Sequence, residues 1–263
     1  MLDFNSEYLV EGSTFTSSKG NQSKWQTRDG SLYIKECFYY QGRVWRDDLV
    51  EIIASKYASF CALEDFGVCV LKQEACTVDG RQAVCSKNFC TPTQVFIPFK
   101  RLCDKNGISI PNYLQSSPKD NFALLSSLYT AFTGLNAHYY LLAMAVLDSV
   151  VGNEDRHYNN FGVLYDTSDK SYSLPPLFDF GLGLFEHDAR YDGLSYKSCI
   201  QLMQCKPFTL ENDRLISFLA EEHKDFLSAF LPLSIEVSDF VFPSENAESY
   251  FRNRNILLGV KLR

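Results

Sequence analysis

The spacing of apolar residues changes once along this chain, and that change limits the fold more than any other feature. Up to about residue 100 they fall in short alternating or aromatic-rich runs cut by turn residues; beyond about residue 105 they recur at helical spacing. Residues 31–40 are aromatic-rich and follow Asp29-Gly30, a turn pair. Residues 68–75 and 82–89, joined through Val78-Asp79-Gly80-Arg81, predict a β-hairpin. A helix is predicted between these strands over residues 47–60, where Leu49, Ile52, Ile53, Tyr57 and Phe60 keep helical spacing. Pro92 and Pro98 mark the change of character. After it come helical patterns over residues 121–151 (one helix, or two broken near Gly134), 213–231 and 247–258. A hairpin interrupts them, with residues 161–166 and 171–178 flanking the polar turn 167–170. The expectation is an α+β chain with a small β-rich lobe, residues 1–92, ahead of a larger helical lobe, residues 93–263.

Composition excludes several classes of function. At 263 residues and 46% apolar content the chain can bury a substantial core and is not expected to be disordered. Its longest apolar run, residues 139–147, ends at Asp148, well short of the ~20 residues that span a bilayer. Residues 1–7 carry neither the basic nor the apolar region of a secretory signal. A net charge of -7 opposes binding to a nucleic-acid backbone or an acidic membrane, so neither is an expected partner. The cysteines number nine, at irregular spacings and without a C-x-x-C pair. That argues against a zinc ribbon or a thioredoxin-type motif and for buried thiols in a reducing, cytoplasmic setting.

Chemistry concentrates in Gly152-Asn153-Glu154-Asp155-Arg156-His157-Tyr158-Asn159-Asn160, between the long helical pattern and the second hairpin, and in Phe178-Asp179-Phe180-Gly181 at the end of that hairpin. Metal-assisted phosphoryl transfer needs a carboxylate at the acceptor hydroxyl and hard oxygen ligands for Mg²⁺ that bridge the nucleotide phosphates. Asp155 and Asn160 stand five apart, and Asp179 follows Asp155 by 24 residues. A short hairpin over that gap returns the chain to its starting point, so the three side chains can meet in one cleft. Neither D-x-x-x-x-N nor D-F-G is informative alone; their order, distance and intervening hairpin together carry the reading. His157 is expected to brace the loop rather than act as a base.

D-R-H-x-x-N followed by D-F-G resembles the catalytic and metal loops of HipA-like and phosphatidylinositol-kinase-like enzymes, in which His follows the catalytic Asp by two. Residues 17–25, Ser-Ser-Lys-Gly-Asn-Gln-Ser-Lys-Trp, resemble the HipA-like phosphate loop, and residues 31–35 the strand bearing the nucleotide lysine. Cys205-Lys206-Pro207-Phe208 is similar to a Lys-Pro-Phe element of HipA-like kinases, and Leu147-Asp148 matches ahead of the catalytic loop. The resemblance runs from about Gly12 to about Phe208 and fits best the short, CtkA-type form of the HipA-like Ser/Thr kinases. It implies a bilobal protein-kinase-like fold and the use of ATP and Mg²⁺. Carried over by position, Asp155 orients or deprotonates the acceptor hydroxyl, and Asn160 and Asp179 hold Mg²⁺. Lys35 pairs with nucleotide phosphates, with an exposed strand lysine as the alternative; Glu51 is its expected partner, with Asp48 as competitor. Gly20 and Gln22 belong to the phosphate loop, Ser17 and Ser18 lie where some members phosphorylate themselves, and adenine is expected near residues 86–89. The position before the metal Asn, commonly Lys in the family, is Asn159 here.

Three functions compete on these residues: a HipA-like Ser/Thr protein kinase, a phosphoinositide or other small-molecule kinase, and a nucleotide-binding pseudokinase. Phosphorylated headgroups call for cations after the metal loop. Residues 182–199 offer Arg190 and Lys197 against Glu186, Asp188 and Asp192, which favours a protein substrate. An antitoxin partner, and export as an effector despite the lack of a visible signal, are further expectations that the family raises.

Overall fold

A computed structural model describes residues 1–11, 22–40, 42–111, 116–186, 188–204, 206 and 212–263, apart from the side chains of residues 40, 212 and 213. The expected α+β architecture is present, with a curled sheet in the first part of the chain and a helical second part. In chain order the sheet region contains β1 (Leu2–Phe4), β2 (Leu9–Glu11), β3 (Lys24–Thr27), β4 (Leu32–Glu36), β5 (Phe38–Tyr40), β6 (Arg43–Trp45), helix α1 (Asp47–Ala58), β7 (Gln73–Val78) and β8 (Arg81–Lys87). Six of these strands form one sheet in the order β1-β7-β8-β4-β3-β2, antiparallel except for the β1–β7 pair, and β5–β6 is a separate two-stranded ribbon. The β7–β8 turn is Asp79-Gly80, both residues at positive φ, as a two-residue hairpin turn of this hand requires.

The helical region follows: β9 (Gln94–Pro98), α2 (Phe99–Lys105), α3 (Pro118–Thr133), α4 (His138–Val151), β10 (Gly162–Asp166), β11 (Tyr172–Ser173), α5 (Tyr196–Leu202), α6 (Asn212–Glu222), α7 (Lys224–Phe230), β12 (Ser234–Ile235), α8 (Glu245–Leu257) and β13 (Lys261–Leu262). The pattern over residues 121–151 is two helices. Ser117 caps α3 by accepting the Asp120 N–H, and Gly134, at φ 75°, closes it with an N–H to the Thr130 carbonyl. From Tyr140 onward α4 is buried on every side, which suits its nearly unbroken apolar sequence. The expected hairpin pairs β10 with a short β11, and β10 also pairs with β9, making a three-stranded sheet in the order β11-β10-β9.

Helix α1 begins with Asp47 and Asp48 in its first turn, where the helix dipole favours carboxylates. Its buried apolar face is Val50, Ile53, Ala54, Tyr57 and Ala58, rotated from the predicted one: Leu49 and Ile52 are only half-buried and Phe60 is exposed. That rotation buries Glu51 as well. The apolar face of α1 belongs to the large core centred on α4, whereas the sheet has its own small cluster of Ile34, Cys76, Val78, Ala83 and Cys85. Among the described residues every cysteine is a free thiol. No helix among them is long and apolar enough to cross a membrane.

Candidate active site

Two chain reversals bring the site together. Helix α4 stops at Gly152, whose φ of 60° is left-handed and whose N–H reaches the Asp148 carbonyl. A side chain there would lie 2.8 Å from the Met203 methyl and 2.9 Å from the Tyr250 ring, so this closely packed reversal requires glycine. Residues 153–160 then form a loop, β10 and β11 carry the chain out and back, and Asp179 follows with φ 62°, again left-handed.

Arg156 ties the two loops together. It is fully buried and grips Asp148 at the end of α4 through Nε (2.9 Å) and Nη2 (2.8 Å). Its Nη1 donates to the Asn160 carbonyl at 3.1 Å and to the Phe178 carbonyl at 2.6 Å, and its guanidinium lies 4.7 Å over the Phe180 ring. A buried guanidinium tolerates burial only with partners of this kind. Asn153 adds a second link: its Oδ1 accepts the Asp155 N–H at 3.1 Å, and its Nδ2 donates to Asp148 at 2.8 Å and toward the Asp179 carbonyl at 3.4 Å. Asn160 Nδ2 donates to the Asp155 carbonyl at 3.1 Å. Asp155, Asn160 and Asp179 are thereby held in one neighbourhood by a shared set of hydrogen bonds.

On the sheet side, β4 lies between β3 and β8, so Lys35 is on an interior strand rather than an edge. Its Nζ lies 3.2 Å from Glu51, 3.2 Å from Asp179 and 3.8 Å from Asp47. The competitor Asp48 instead binds Arg46, at 2.9 Å through each of two nitrogens. Glu51 has a further task, since its other oxygen accepts the Phe180 N–H at 3.0 Å and links α1 directly to the loop that carries Asp179. Gln22 Nε2 donates to the Glu36 carbonyl (2.6 Å) and to Asp47 (2.5 Å), which brings this residue of the segment resembling a phosphate loop beside the same cluster. Gly20, Ser17 and Ser18 lie outside the described residues, as do Cys205, Pro207 and Phe208.

Electrostatics follow from this crowding. Burial alone would lower the Lys35 pKa, but Asp179, Glu51 and Asp47 more than reverse that and hold it above its ordinary value. Burial would likewise raise the Asp179 pKa, yet Lys35, Lys24 and Arg156 bring it down to about 2, so the carboxylate is ionised at neutral pH. Burial raises the Asp47 pKa, with Lys35 opposing. Lys24, paired in register with Lys35 on β3, is a second cation facing Asp179; burial lowers its pKa against that attraction.

The donor set fits a hard divalent cation held partly by phosphates. Asp179 offers an ionised carboxylate, and Asn160, its amide nitrogen already committed to Asp155, keeps an amide oxygen without a hydrogen bond among the described residues. Among the described residues no group of three His, Cys, Asp or Glu side chains forms an all-protein metal cage. Mg²⁺ at nucleotide sites relies on one or two protein oxygens plus phosphates and water, so this set suits it. His157 Nδ1 accepts the Asn159 N–H at 3.3 Å, a bracing contact, and its Nε2 lies 3.9 Å from Asp155. Near the expected adenine position, Phe89 stacks on Phe178 at 5.5 Å and meets Phe96 at 5.9 Å, forming a half-buried aromatic cluster.

Sequence reasoning had not given roles to Arg156, Asp148, Asn153, Asp47 or Lys24. Asp148 carried a signal, a lone charge at the end of a buried apolar helix, because such a charge demands a partner.

No family model and no curated protein matches the sequence. Among solved structures, the chain is similar to the proinflammatory kinase CtkA of Helicobacter pylori, with TM-score 0.62, 14% identity, and 98% of this chain and 96% of that one covered. It also matches HipA of Shewanella oneidensis MR-1, solved with HipB and operator DNA, at TM-score 0.48 and 15% identity, over 95% of this chain and 65% of that one. A MAP kinase of Leishmania major, LmaMPK10, matches at TM-score 0.29 and 14% identity, over 95% of this chain and 62% of that one. The likeness to CtkA spans nearly the whole of both chains, and this protein therefore has the α+β, kinase-like fold of that enzyme.

Proposed function

We propose that this chain is an ATP-dependent protein Ser/Thr kinase of HipA-like type. The observation that carries the reading is the convergence of Lys35, Glu51 and Asp179, from a strand, a helix and a loop, at 3.2 Å contacts beside a loop that presents Asp155. Lys35 binds nucleotide phosphates as a fixed point charge, kept in place by Glu51. Asp155 accepts or orients the proton of the acceptor hydroxyl. Asn160 and Asp179 hold Mg²⁺, which when bound neutralises charge on the nucleotide phosphates. Positioning and electrostatics supply most of the rate in such a site. The aromatic cluster of Phe89, Phe96 and Phe178 is the proposed adenine platform, and the division into lobes at residues 92 and 93 is the proposed domain boundary.

A protein acceptor is favoured by where the cations are. Arg190, one of the two after the metal loop, is bound by Glu154 at 2.8 and 2.9 Å, which leaves exposed Lys197 as the second. That is a poor site for a phosphorylated headgroup. Free thiols suit a reducing compartment, and an antitoxin-like binding partner and self-phosphorylation at Ser17 or Ser18 belong to the same proposal. The test is labelled-phosphate transfer from Mg·ATP to a panel of proteins, phosphoinositides and aminoglycosides, with mass spectrometry of the enzyme itself. Transfer to protein, lost in Asp155→Ala while Mg·ATP binding persists, is expected. Transfer to lipid or aminoglycoside alone, or full transfer by Asp155→Ala, overturns the assignment.

A further inference from the structure

Beside Asp155 stands a lysine from a distant part of the chain. Lys206 Nζ lies 3.2 Å from Asp155 Oδ1, with the lysine side chain 37% exposed. The contact is not an isolated surface pair, because the segment leading to it is fastened to the catalytic loop at two earlier points. The Met203 methyl packs over Gly152, closely enough that a side chain there would meet it at 2.8 Å. The Gln204 N–H donates to the Glu154 carboxylate at 2.9 Å. Glu154 is held in turn by Arg190 and by the Tyr191 hydroxyl at 2.5 Å. Residues 203, 204 and 206 therefore track residues 152, 154 and 155.

The loop itself provides no cation able to meet a substrate. Residues 153–160 contain one Lys or Arg, Arg156, which is fully buried and committed to Asp148, Asn160 and Phe178. Lys35 and Lys24 stand on the opposite side, facing Asp179. Phosphoryl transfer spreads negative charge over the oxygens of the migrating group, and a cation near the acceptor stabilises that charge where the nucleotide-side cations do not reach.

Resting on the kinase reading above, we propose that Lys206 is a catalytic residue that contacts the phosphoryl group as it passes from ATP to the acceptor. In that step the bond between the γ-phosphorus and the β–γ bridging oxygen breaks, its electron pair staying on ADP. A new bond forms from the acceptor oxygen to phosphorus, and the acceptor proton passes to Asp155. Lys206 gives up no proton; it supplies fixed positive charge, and in the resting site it is neutralised by the carboxylate it later shares with the substrate.

The experiment is titration of Mg·ADP, with and without aluminium fluoride as a mimic of the migrating phosphoryl group, into the wild type, Lys206→Met and Lys206→Arg. Mg·ADP affinity is expected to stay within about twofold in all three, because ADP lacks the group that Lys206 contacts. The extra affinity conferred by aluminium fluoride is expected to fall about 10²-fold in Lys206→Met and to return in part in Lys206→Arg. A Lys206→Met protein that keeps the full aluminium fluoride gain overturns the proposal, and so does one that loses Mg·ADP affinity in parallel. A wild type that binds no Mg·ADP overturns the kinase reading itself, a result distinct from both.

Discussion

At the scale of single residues, Arg156 and Asp148 decide whether the two loops stay together, since the same guanidinium holds a helix end, the Asn160 carbonyl and the Phe178 carbonyl. Asp148→Ala leaves that guanidinium buried and unpaired, and is expected to cost about 3–5 kcal/mol in urea denaturation. The double replacement Asp148→Leu with Arg156→Met is expected to recover most of that stability without restoring phosphotransfer, because no group then anchors the two carbonyls. A double variant that regains activity would show that the pair serves stability alone. The Lys35 cluster behaves differently with pH. The Asp179 pKa, held at about 2, lies below its ordinary value of 3.8. Its charged form therefore adds stability that is present above about pH 4 and is lost as the pH falls toward 2. Lys35→Met removes a cation from among Asp47, Glu51 and Asp179, so the Asp47 and Asp179 pKa values rise and the charged carboxylates repel one another. The expected loss in melting temperature relative to wild type is largest at pH 7 and shrinks toward pH 4.5; a deficit independent of pH would refute this account. The titratable motif residues were legible in the sequence because their order and spacing are chemically restrictive. The Arg156–Asp148 pair was not, because it depends on a left-handed reversal at Gly152 that spacing alone does not reveal.

At the scale of elements, glycines set how closely the loop that carries Asp179 approaches its supports. A Cβ on Gly183 would lie 2.3 Å from the Val151 carbonyl oxygen, which also accepts the Leu184 N–H at 2.8 Å. Gly183→Ala must push the segment after Asp179 away from the end of α4. It is expected to cost about 1–3 kcal/mol in chemical denaturation and to weaken Mg·ATP binding together with stability. Unchanged values of both would mean that the contact relaxes without consequence. Helix α1 shows why a periodicity finds an element more readily than its orientation. Leu49, Ile52 and Phe60 suggested one apolar face, but Asp47 and Glu51 must face Lys35, and that requirement turns the helix so that Val50, Ala54 and Ala58 go inward beside Ile53 and Tyr57. The strand β9 has no counterpart among the predicted elements: Pro92 and Pro98 mark only the change of character there, yet Pro98 ends an edge strand and pairs with Gly162, where a lost N–H is tolerated. The helical pattern over residues 213–231 is broken at His223, a residue with no turn signature.

At the scale of the whole molecule, the site joins two apolar clusters that do not merge. The sheet carries Lys35 on the face opposite its small cluster, while α1, α4 and the approach to Asp179 share the large one. Polar contacts span the gap: Lys35 Nζ reaches Glu51 on α1 and Asp179 on the loop, at 3.2 Å each. The sequence revealed the two regions through their change of period, but not that α1, encoded among the strands, packs with the helices. That follows from tertiary burial rather than from local pattern. A nucleotide gripped by Lys35 on the sheet and by Asp179 on the loop would tie the two parts together, so its binding free energy should be recovered as stability of the entire chain. At a concentration 100 times its dissociation constant, a ligand that binds only the folded state adds about 2.7 kcal/mol. With roughly 2–4 °C per kcal/mol for a chain of this size, Mg·ATP is expected to raise the melting temperature by about 5–10 °C. ATP with EDTA should give a smaller rise, Asp179→Asn should lose the Mg²⁺-dependent part selectively, and Lys35→Met should reduce the rise with and without Mg²⁺. An equal rise with and without Mg²⁺ in the wild type would separate nucleotide binding from Asp179, and with it the sheet-to-loop bridge on which this coupling rests.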